Sequence, residues 1–559
     1  MSDTKFERNA GILMPVSSLP SPYGIGTFGK DAYDFVTFVK ECNHKYWQGL
    51  PLGPTTYGDS PYQSYSAFAG NPYFVDLDML IEAGFLLKSE VISRDWGDGI
   101  VPVNVSEDDA VNGRFGTYRD GNIGDERYVS YEKIYNNRFD ILRIAYNRFK
   151  AACAESKKKP DEVDYEKIYK GRYPLLRKAY ENSDISKNPD YQKFVAENSW
   201  WLSDYALFMA LKTHFNNVSW GEWETDIKFR KPEAMSRYEE QLSDDIGYWK
   251  FIQFEFYLQW NALKQYANSN GIEIIGDIPI YMGYDSVDVW ANQGEFQLDE
   301  NLTPIKVAGV PPDAFSDAGQ KWGNPLYDYD KMEANGFSWW RKRMAASAKL
   351  YDVIRIDHFI GIVKYYTIPA DMPDARQGEY RQGPGQKLLD VINESIGDKK
   401  IIAEDLGVEV PEVAKILKEN GYPGMKVLEF AFGGDRKNPH LPYNYTQNLV
   451  CYGGTHDNET LLGFFEDRGD WELGYAYDYL DTRDKGRMVD QVFRAAYSSV
   501  AVLTVFAVQD ILKLGNWARM NLPSSMGNNW KWRMQKGQLG QHELECMRYL
   551  ASVFDRERK

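Results

Sequence analysis

The sequence predicts an α/β protein in which strands and helices alternate around a closed (β/α)8 (TIM) barrel. Eight short apolar runs, each ending in turn or polar residues, are typical of buried strands in a parallel sheet. These runs are Gly11–Val16, Lys45–Leu52, Ile272–Ile280, Val353–Phe359, Lys400–Leu406, Met425–Phe432, Leu449–Thr455 and Leu503–Ile511. Segments with helical periodicity lie between most of them, which favours parallel pairing and a barrel. A doubly wound open sheet is the structural alternative on this pattern alone.

Helical periodicity supports the connections between the predicted strands. In Asp31–Cys42 the residues Phe35, Val36, Val39 and Cys42 fall on one helix face. Three further segments have the same character: Lys387–Ile396, Val410–Glu419 and Lys485–Ala496. Each is expected to cover the outside of the barrel.

Residues 53–271 separate the predicted second and third strands. A long insertion is predicted there, because a bare loop of that length is uncommon in a compact domain. We place mainly helical insertion subdomains at 59–270, ending in the amphipathic segment Ile246–Ala267 that returns the chain to the barrel. Within them, residues 131–146 are partly repeated at 165–180. Two copies are too few for a solenoid, so this is interpreted as a local duplication. The remainder of 1–559 is predicted to be a single barrel domain, with smaller loop subdomains at its carboxyl-terminal face.

Charge and composition exclude several classes of partner. The net charge of −16 disfavours nucleic acid, anionic membranes and polyanionic substrates. Aromatic residues make up 15% of the chain, which fits a large core or a surface that stacks on sugar rings. The start of the chain lacks an apolar leader, and no apolar run is long enough to span a bilayer. A cytoplasmic location is therefore expected.

No cofactor is predicted. The four cysteines show no zinc or disulfide spacing, and the pyridoxal, Rossmann and Walker A signatures do not occur. His358 and His456 stand next to acids but without the spacing of known metal motifs. No metal site is expected either.

The predicted fourth strand, Val353–Phe359, combines apolar and ionisable residues. Its three β-branched residues suit a buried strand, yet it also carries Arg355, Asp357 and His358. Burying such groups is costly unless they are paired or used. Arg355 and Asp357 are two residues apart and should face the same side. This stretch alone leaves a structural ion pair and a catalytic carboxylate as equal alternatives.

Further acids stand at the carboxyl ends of other predicted strands, where the site of such a barrel lies. They are Asp277 on the third strand, Glu404 and Asp405 on the fifth, and Asp457 after His456 on the seventh. Several carboxylates around one cleft raise each other's pKa, which a purely structural network would not favour. One anionic and one protonated carboxyl group are the minimum for retaining glycoside chemistry.

Motifs along most of the chain resemble those of the 4-α-glucanotransferases of glycoside hydrolase family 77, also called amylomaltases or disproportionating enzymes. The matching segments are residues 11–29, 46–55, 59–72, 309–327, 355–359 (R-I-D-H-F), 403–407 (A-E-D-L-G), 454–458 (G-T-H-D-N), 518–523 and 529–533. Such long, ordered matches are far more specific than a single acidic pair.

The resemblance implies a role for each carboxylate. Asp357 matches the nucleophile, Glu404 the general acid/base, and Asp457 the carboxylate that stabilises the oxocarbenium-like state. An apolar strand before Glu404 agrees with a raised pKa for an acid/base. Asp405, the next residue, should face away and serve the structure. The carboxyl groups of Asp357 and Glu404 are expected about 5–5.5 Å apart.

The resemblance also implies substrate-binding residues. Tyr62 matches a tyrosine that stacks near the reacting sugar, and Gly309–Tyr327 matches a loop over the cleft, although its Pro and Gly content also fits a rigid turn. The full set of predicted binding residues is Tyr62, Asp277, Asp313, Trp322, Asn324, Arg355, His358 and His456. A purely structural role remains open for each histidine.

The resemblance implies transfer of an α-1,4-glucan segment to the 4-hydroxyl of another glucan, with maltodextrins and related α-1,4-glucans as partners. Hydrolysis of the same bond is the alternative, since both reactions share the covalent intermediate. A glycan-binding protein without activity is disfavoured because all three acids are present. The family pattern usually has one copy of the duplicated segment, so the acceptor rim could differ here. Longer relatives carry N-terminal β domains, and no N-terminal carbohydrate-binding domain is expected in this chain.

Overall fold

The computed structural model describes residues 5–56, 58–113, 118–155, 189–312, 316–407, 410–525 and 527–559. Eight parallel strands form its central sheet, numbered here β1 to β8. They are β1 (Asn9–Leu13), β2 (Tyr46–Gln48), β3 (Glu273–Ile278), β4 (Val353–Ile356), β5 (Lys400–Ala403), β6 (Gly424–Val427), β7 (Leu449–Tyr452) and β8 (Leu503–Ala507).

The strand order closes into a barrel. The sheet runs β5-β4-β3-β2-β1-β8-β7-β6, so each strand lies beside its neighbours in the chain and β1 pairs with β8. The two ends of this order also meet, since Ala403 N donates to Pro423 O at 3.0 Å. This circular order confirms the predicted barrel and is incompatible with the doubly wound alternative.

All eight predicted strands are present, but each ends earlier than predicted. The apolar runs continue beyond the ladder into turns and short helices, such as Leu428–Ala431 after β6 and Val508–Ile511 after β8. After β4 the chain turns at His358, which has a φ of 51°. Apolar character therefore overestimates strand length at the carboxyl ends, because these bends are buried as well.

Helices pack outside the strands. Those that flank the barrel are Lys30–Glu41, Ser243–Ser269, Ser338–Leu350, Gln386–Ile396, Pro411–Asn420, Lys485–Ser498 and Gln541–Val553. The first buries Phe35, Val36 and Val39 against the barrel, as its periodicity predicts. Within the described residues no helix has both the length and the apolar character required to cross a bilayer.

The segment between β2 and β3 is rich in helices. Its helices are Leu77–Glu82, Lys88–Ile92, Glu107–Val111, Tyr131–Glu155, Pro189–Glu197, Ser199–His214, Thr225–Lys228 and Pro232–Gln241, and strands Asp98–Ile100 and Arg119–Gly124 form a small antiparallel pair. The helix Ser243–Ser269 then leads into β3, as predicted. The first copy of the duplicated segment lies in Tyr131–Glu155, and the second, 165–180, lies outside the described residues. The limits of the insertion, 59–270, remain a prediction.

A second sheet of four antiparallel strands belongs to the connections after β3 and β4. Its order is Glu379–Gln382, Lys364–Pro369, Lys306–Val310 and Gln320–Pro325. The segment predicted as a loop over the cleft, Gly309–Tyr327, contributes Gly309–Val310 and Gln320–Pro325 to this sheet, so part of it is β-hairpin. Gly309 allows the close pairing, since a Cβ there would lie 2.1 Å from Gln320 O. Short helices Val287–Ala291, Tyr329–Ala334, Ile360–Val363, Leu461–Glu466 and Gly474–Leu480 complete the connections.

The barrel interior is layered. Ile275, Val353 and Ile402 belong to the core inside the strands, whereas Ile354 and Ile401 join the core between strands and helices. Because side chains alternate along a strand, residues two positions further on also face inward. The next inward layer is the floor of the candidate site.

Candidate active site

The inward layer above the apolar core consists of ionisable residues. Asp277 lies near the end of β3, Arg355 lies in β4, and Glu404 directly follows β5. Asp357 follows β4, and Asp457 lies in the loop after β7. All five residues come from the carboxyl ends of their strands, where the sequence predicts the site.

Arg355 joins two of these acids. Its Nη1 donates to Asp277 Oδ2 at 2.6 Å and to Asp357 Oδ1 at 3.0 Å. The Arg355 side chain is only 4% exposed, while that of Asp357 is 29% exposed. Burial favours a lower pKa for Arg355, but Asp277 and Asp357 together raise its pKa well above the usual value. The guanidinium is thus permanently charged and holds Asp357 at a position that ligands can reach.

Asp277 lies beneath this pair. Burial raises the pKa of its carboxyl group, although Arg355 opposes that change. Its Oδ2 also accepts a hydrogen bond from Tyr62 Oη at 2.8 Å, and its Oδ1 has no hydrogen-bond partner among the described residues. Asp277 therefore links the barrel to the insertion that carries Tyr62.

Glu404 is held by the backbone. One carboxyl oxygen accepts from His358 N and the other from Leu406 N, each at 2.8 Å. Burial is the main cause that raises the pKa of Glu404 to about 8, and the nearby Asp357 carboxylate is the second. The two hydrogen bonds only partly oppose this change. A carboxyl group with that pKa is protonated at neutral pH and can act as an acid. Asp405 turns away, and its Oδ1 accepts from Met425 N at 2.7 Å, which agrees with a structural role.

His358 takes a left-handed backbone conformation, with a φ of 51°. This conformation is uncommon for a residue other than glycine, and it lets the His358 N–H point at Glu404. The ring meets Trp322 edge-on, with 4.9 Å between centroids, and burial lowers the pKa of His358 to about 4. The imidazole is therefore neutral beside Glu404.

The strand Gln320–Pro325 brings two predicted binding residues to the mouth. Trp322 contacts His358, and its Nε1 donates to Gln320 Oε1 at 3.1 Å. Asn324 is buried, and its Oδ1 accepts a hydrogen bond from Gln63 Nε2 at 3.4 Å. Gln63 directly follows Tyr62 in the chain. Asp313 lies outside the described residues.

Aromatic rings line the opposite side of the mouth. Tyr62 stacks on His456 with 4.8 Å between centroids and an interplanar angle of 19°. Trp530 lies 5.8 Å from both rings. His456 Nδ1 also lies 3.3 Å from Tyr62 Oη, so ring stacking and hydrogen bonding fix the same pair.

Asp457 is positioned by a segment near the end of the chain. Asn521 Nδ2 donates to Asp457 Oδ1 at 2.6 Å, and Arg519 Nη2 donates to the Asp457 carbonyl at 2.7 Å. Arg519 Nε also binds the carbonyl of Asn521 at 2.8 Å, so one side chain ties both loops together. His456 Nε2 lies 3.4 Å from Asp457 Oδ2.

Three site residues were not predicted individually: Arg519, Asn521 and Trp530. All lie within segments 518–523 and 529–533, whose resemblance to a family pattern was the available signal. Within the described part of the chain, no group of three or more His, Cys, Asp or Glu side chains is arranged to hold a metal ion.

Comparison with known proteins identifies the family. The family model for 4-alpha-glucanotransferase matches residues 14–160 and 148–539. Among curated relatives, the 4-alpha-glucanotransferase of Clostridium butyricum is 44% identical over 522 residues, covering 93% of this chain and 95% of that one. The enzyme of the same name from Thermus thermophilus is 38% identical and covers 98% and 99%.

Solved structures agree with this assignment. Amylomaltase from Streptococcus agalactiae, in complex with acarbose, superposes with a TM-score of 0.83 at 37% identity, covering 99% of this chain and 100% of that one. Amylomaltase from Corynebacterium glutamicum shares the fold, with a TM-score of 0.66 at 17% identity. The relatives are named as transferases, which does not favour the hydrolase alternative. The predicted family, fold and enzyme class are confirmed, and the chain belongs to the 4-alpha-glucanotransferase family.

Proposed function

We propose that this enzyme transfers a segment of an α-1,4-glucan to the 4-hydroxyl of an acceptor glucan by two displacements at one anomeric carbon. The observation that carries the proposal is the contrast between two neighbouring carboxyl groups. Asp357 is partly exposed and paired with Arg355, whereas Glu404 is buried with its pKa raised to about 8. A retaining mechanism requires one ionised carboxylate as nucleophile and one protonated carboxyl group as acid.

In the first step, an Asp357 carboxylate oxygen attacks the anomeric carbon of the donor sugar. Glu404 gives its proton to the glycosidic oxygen, so the bond to the leaving glucan breaks as the bond to Asp357 forms. In the second step, ionised Glu404 takes the proton of the acceptor 4-hydroxyl. That oxygen then attacks the anomeric carbon and displaces Asp357, which gives net retention.

Asp457 stabilises the positive charge that develops on the sugar between the two steps, and it holds sugar hydroxyls. Asn521 fixes its carboxyl group and Arg519 fixes its backbone carbonyl. Tyr62, His456 and Trp530 offer ring faces and polar edges to the sugar at the mouth. Such preorganised groups are effective because they need not rearrange during the reaction.

Transfer exceeds hydrolysis only when an acceptor sugar, and not water, meets the covalent intermediate. Trp322 lies against the ring of His358, whose backbone N–H binds Glu404, so an aromatic side chain stands next to the residue that holds the acid/base. We propose that an acceptor sugar displaces water at this position. A cytoplasmic location, as the sequence predicts, forms part of this proposal.

The product profile from maltotriose tests the reaction type. Transfer gives glucose and a ladder of longer maltodextrins, measured by chromatography or mass spectrometry. Release of reducing ends without a ladder would show a hydrolase instead.

The role of Asp357 is tested separately by Asp357→Asn, which keeps the shape and removes the nucleophile. We expect disproportionation to fall by at least about 10³-fold while maltodextrin binding, measured calorimetrically, stays within a few-fold. The exposed Asp371→Asn makes the same chemical change at a residue with no proposed role in the reaction and should retain activity. Turnover by Asp357→Asn close to that of the parent enzyme would remove Asp357 from this role.

A further inference from the structure

Three tyrosines form a cluster on the outer surface of the barrel. Tyr443 lies in the turn Pro442–Asn444 between β6 and β7, and Tyr475 and Tyr479 lie in the helix Gly474–Leu480 between β7 and β8. The Tyr479 ring centroid is 6.2 Å from that of Tyr443 and 6.1 Å from that of Tyr475. We call these three residues the tyrosine platform.

The platform lies on the far side of the barrel wall from the acids. Tyr479 packs against Phe432, with 6.0 Å between centroids, and Tyr479 also lies near Cys451 of β7. Cys451 belongs to the core outside the strands, whereas its neighbours Val450 and Tyr452 face the interior. A ligand on the platform would therefore not occupy the catalytic cleft.

The platform is rigid although its outermost ring is open to solvent. Tyr443 Oη donates to the Arg436 carbonyl at 3.0 Å and lies 3.2 Å from Tyr475 Oη. Asn444 Nδ2 binds the same carbonyl and so fixes the turn. Tyr443 is nonetheless 57% exposed. Immobilising a ring costs conformational entropy that burial does not offset here, whereas a preformed ring surface lowers the cost of binding a ligand.

An exposed tryptophan extends the same segment. Trp471 lies four residues before Tyr475 and is 87% exposed. An indole is among the largest apolar groups in proteins, so the exposed Trp471 offers a large apolar face to a ligand. The platform thus offers aromatic faces with hydroxyl groups at their edges, and Trp471 adds an indole four residues away in the chain.

The chemistry of this surface suits an uncharged polysaccharide. Tyrosine rings have apolar faces and polar edges, which complement the C–H faces and hydroxyl rims of glucose units. The net charge of −16 opposes binding of polyanions to the same rings. A polymeric glucan is also longer than the cleft, so a second contact on one chain would raise its effective concentration near the mouth.

We propose that the tyrosine platform is a second binding surface for long α-1,4-glucan chains, outside the catalytic cleft. The class of ligand rests on the proposed function. The surface increases retention on polymeric substrates and has no part in the reaction of short maltodextrins, which cannot bridge the two sites.

Affinity electrophoresis in gels containing amylose tests this proposal with the double variant Tyr443→Ala/Tyr475→Ala. We expect the retardation to be weaker than that of the parent enzyme, with only binding in the cleft remaining, and the KM for amylose to rise at least about fivefold. Disproportionation of maltotriose should stay within twofold, which also shows that the variant folds. Tyr549→Ala is the matched control, since Tyr549 is 59% exposed on another helix and should leave retardation unchanged. Unchanged retardation of the double variant would overturn the proposal.

A second measurement needs no change in the platform. Hydroxyl-radical footprinting of Asp357→Asn with amylose should protect Tyr443 and Trp471, whereas maltotriose should not. Oxidation of both residues at the same rate with and without amylose would also overturn the proposal. Failure of the parent enzyme to form a maltotriose ladder would instead refute the proposed reaction, so the two failures can be distinguished.

Discussion

The Arg355 guanidinium lies 2.6 Å from the Asp277 carboxylate, and both side chains are almost completely buried. Asp357 shares the same guanidinium at 3.0 Å. The pair that supports the barrel floor therefore also orients the proposed nucleophile. Removing one member of a buried ion pair leaves an uncompensated charge, which is strongly destabilising.

Asp277→Asn should therefore reduce both stability and activity. We expect a loss of about 2–4 kcal/mol in the free energy of unfolding, measured in urea, because Arg355 keeps only Asp357 as a charged partner. The rate of maltotriose disproportionation should fall as well, since Tyr62 and Arg355 then meet a neutral amide where they met a carboxylate. Asp352→Asn is the control: Asp352 pairs with Lys264 and Lys399, both at 3.4 Å, away from the mouth. That variant should lose stability but keep its activity while folded.

The raised pKa of Glu404 predicts the alkaline side of the pH profile. Glu404 must be protonated in the first step, so kcat/KM should decline as pH rises through about 8. Glu404→Gln should lack almost all activity at every pH. A decline centred near pH 5 would contradict the assignment of Glu404 as the acid.

The same pKa predicts how stability depends on pH. Folded Glu404 binds a proton more tightly than unfolded glutamate, so the stability it contributes is complete below the unfolded pKa and is lost as pH rises through about 8. The free energy of unfolding of Glu404→Gln should thus fall less between pH 5 and pH 8 than that of the parent enzyme. Glu429, with a pKa of about 8, and Asp510, with a pKa of about 7, contribute in the same direction in both proteins. The difference between the two curves isolates Glu404, and parallel curves would contradict the prediction.

Asn521 holds the Asp457 carboxyl group in place, so substituting Asn521 should lower the reaction rate. Asn521→Ala removes the 2.6 Å hydrogen bond, and we expect kcat to fall about 10–100-fold with little change in the melting temperature. Asn521→Asp should be worse, because it places a second carboxylate against Asp457. A kcat for both variants equal to that of the parent enzyme would show that the contact does not matter to the reaction.

The left-handed backbone at His358 predicts a difference between two substitutions. His358→Asn tolerates this conformation, whereas the β-branched His358→Thr is strained there by about 1–2 kcal/mol. Movement of the backbone would withdraw the N–H from Glu404. We expect the threonine variant to lose at least about tenfold more kcat/KM than the asparagine variant. Similar kinetics for both variants would show that the ring alone, and not the N–H, supports Glu404.

The sequence was sufficient to predict the barrel and the positions of its acids, because apolar runs mark buried strands and parallel strands present their carboxyl ends at one face. Inward alternation also predicted that Arg355 would meet Asp357. The ends of the strands were not predictable, because the turns that follow them are as buried as the ladder.

The contacts between distant segments could not be predicted from sequence. Tyr62 and Asp277 are 215 residues apart, and Asn521 and Asp457 are 64 apart. Their pairing therefore depends on how the insertion and the segment after β8 pack against the barrel. The hairpin that carries Trp322 was expected as a loop, since its glycines and prolines resemble turn residues. Gly309 instead allows two strands of the hairpin to pair closely.

The packing of Tyr62 against His456 and Trp530 has a consequence for when the site is completed during synthesis. Tyr62 is made early, whereas Arg519, Asn521 and Trp530 follow β8, the strand that closes the barrel against β1. The catalytic centre is thus assembled from both ends of the polypeptide. A nascent chain that already carries all the proposed catalytic acids but not residue 519 would still lack the groups that position Asp457, so the complete site can form only when synthesis of the chain is nearly finished.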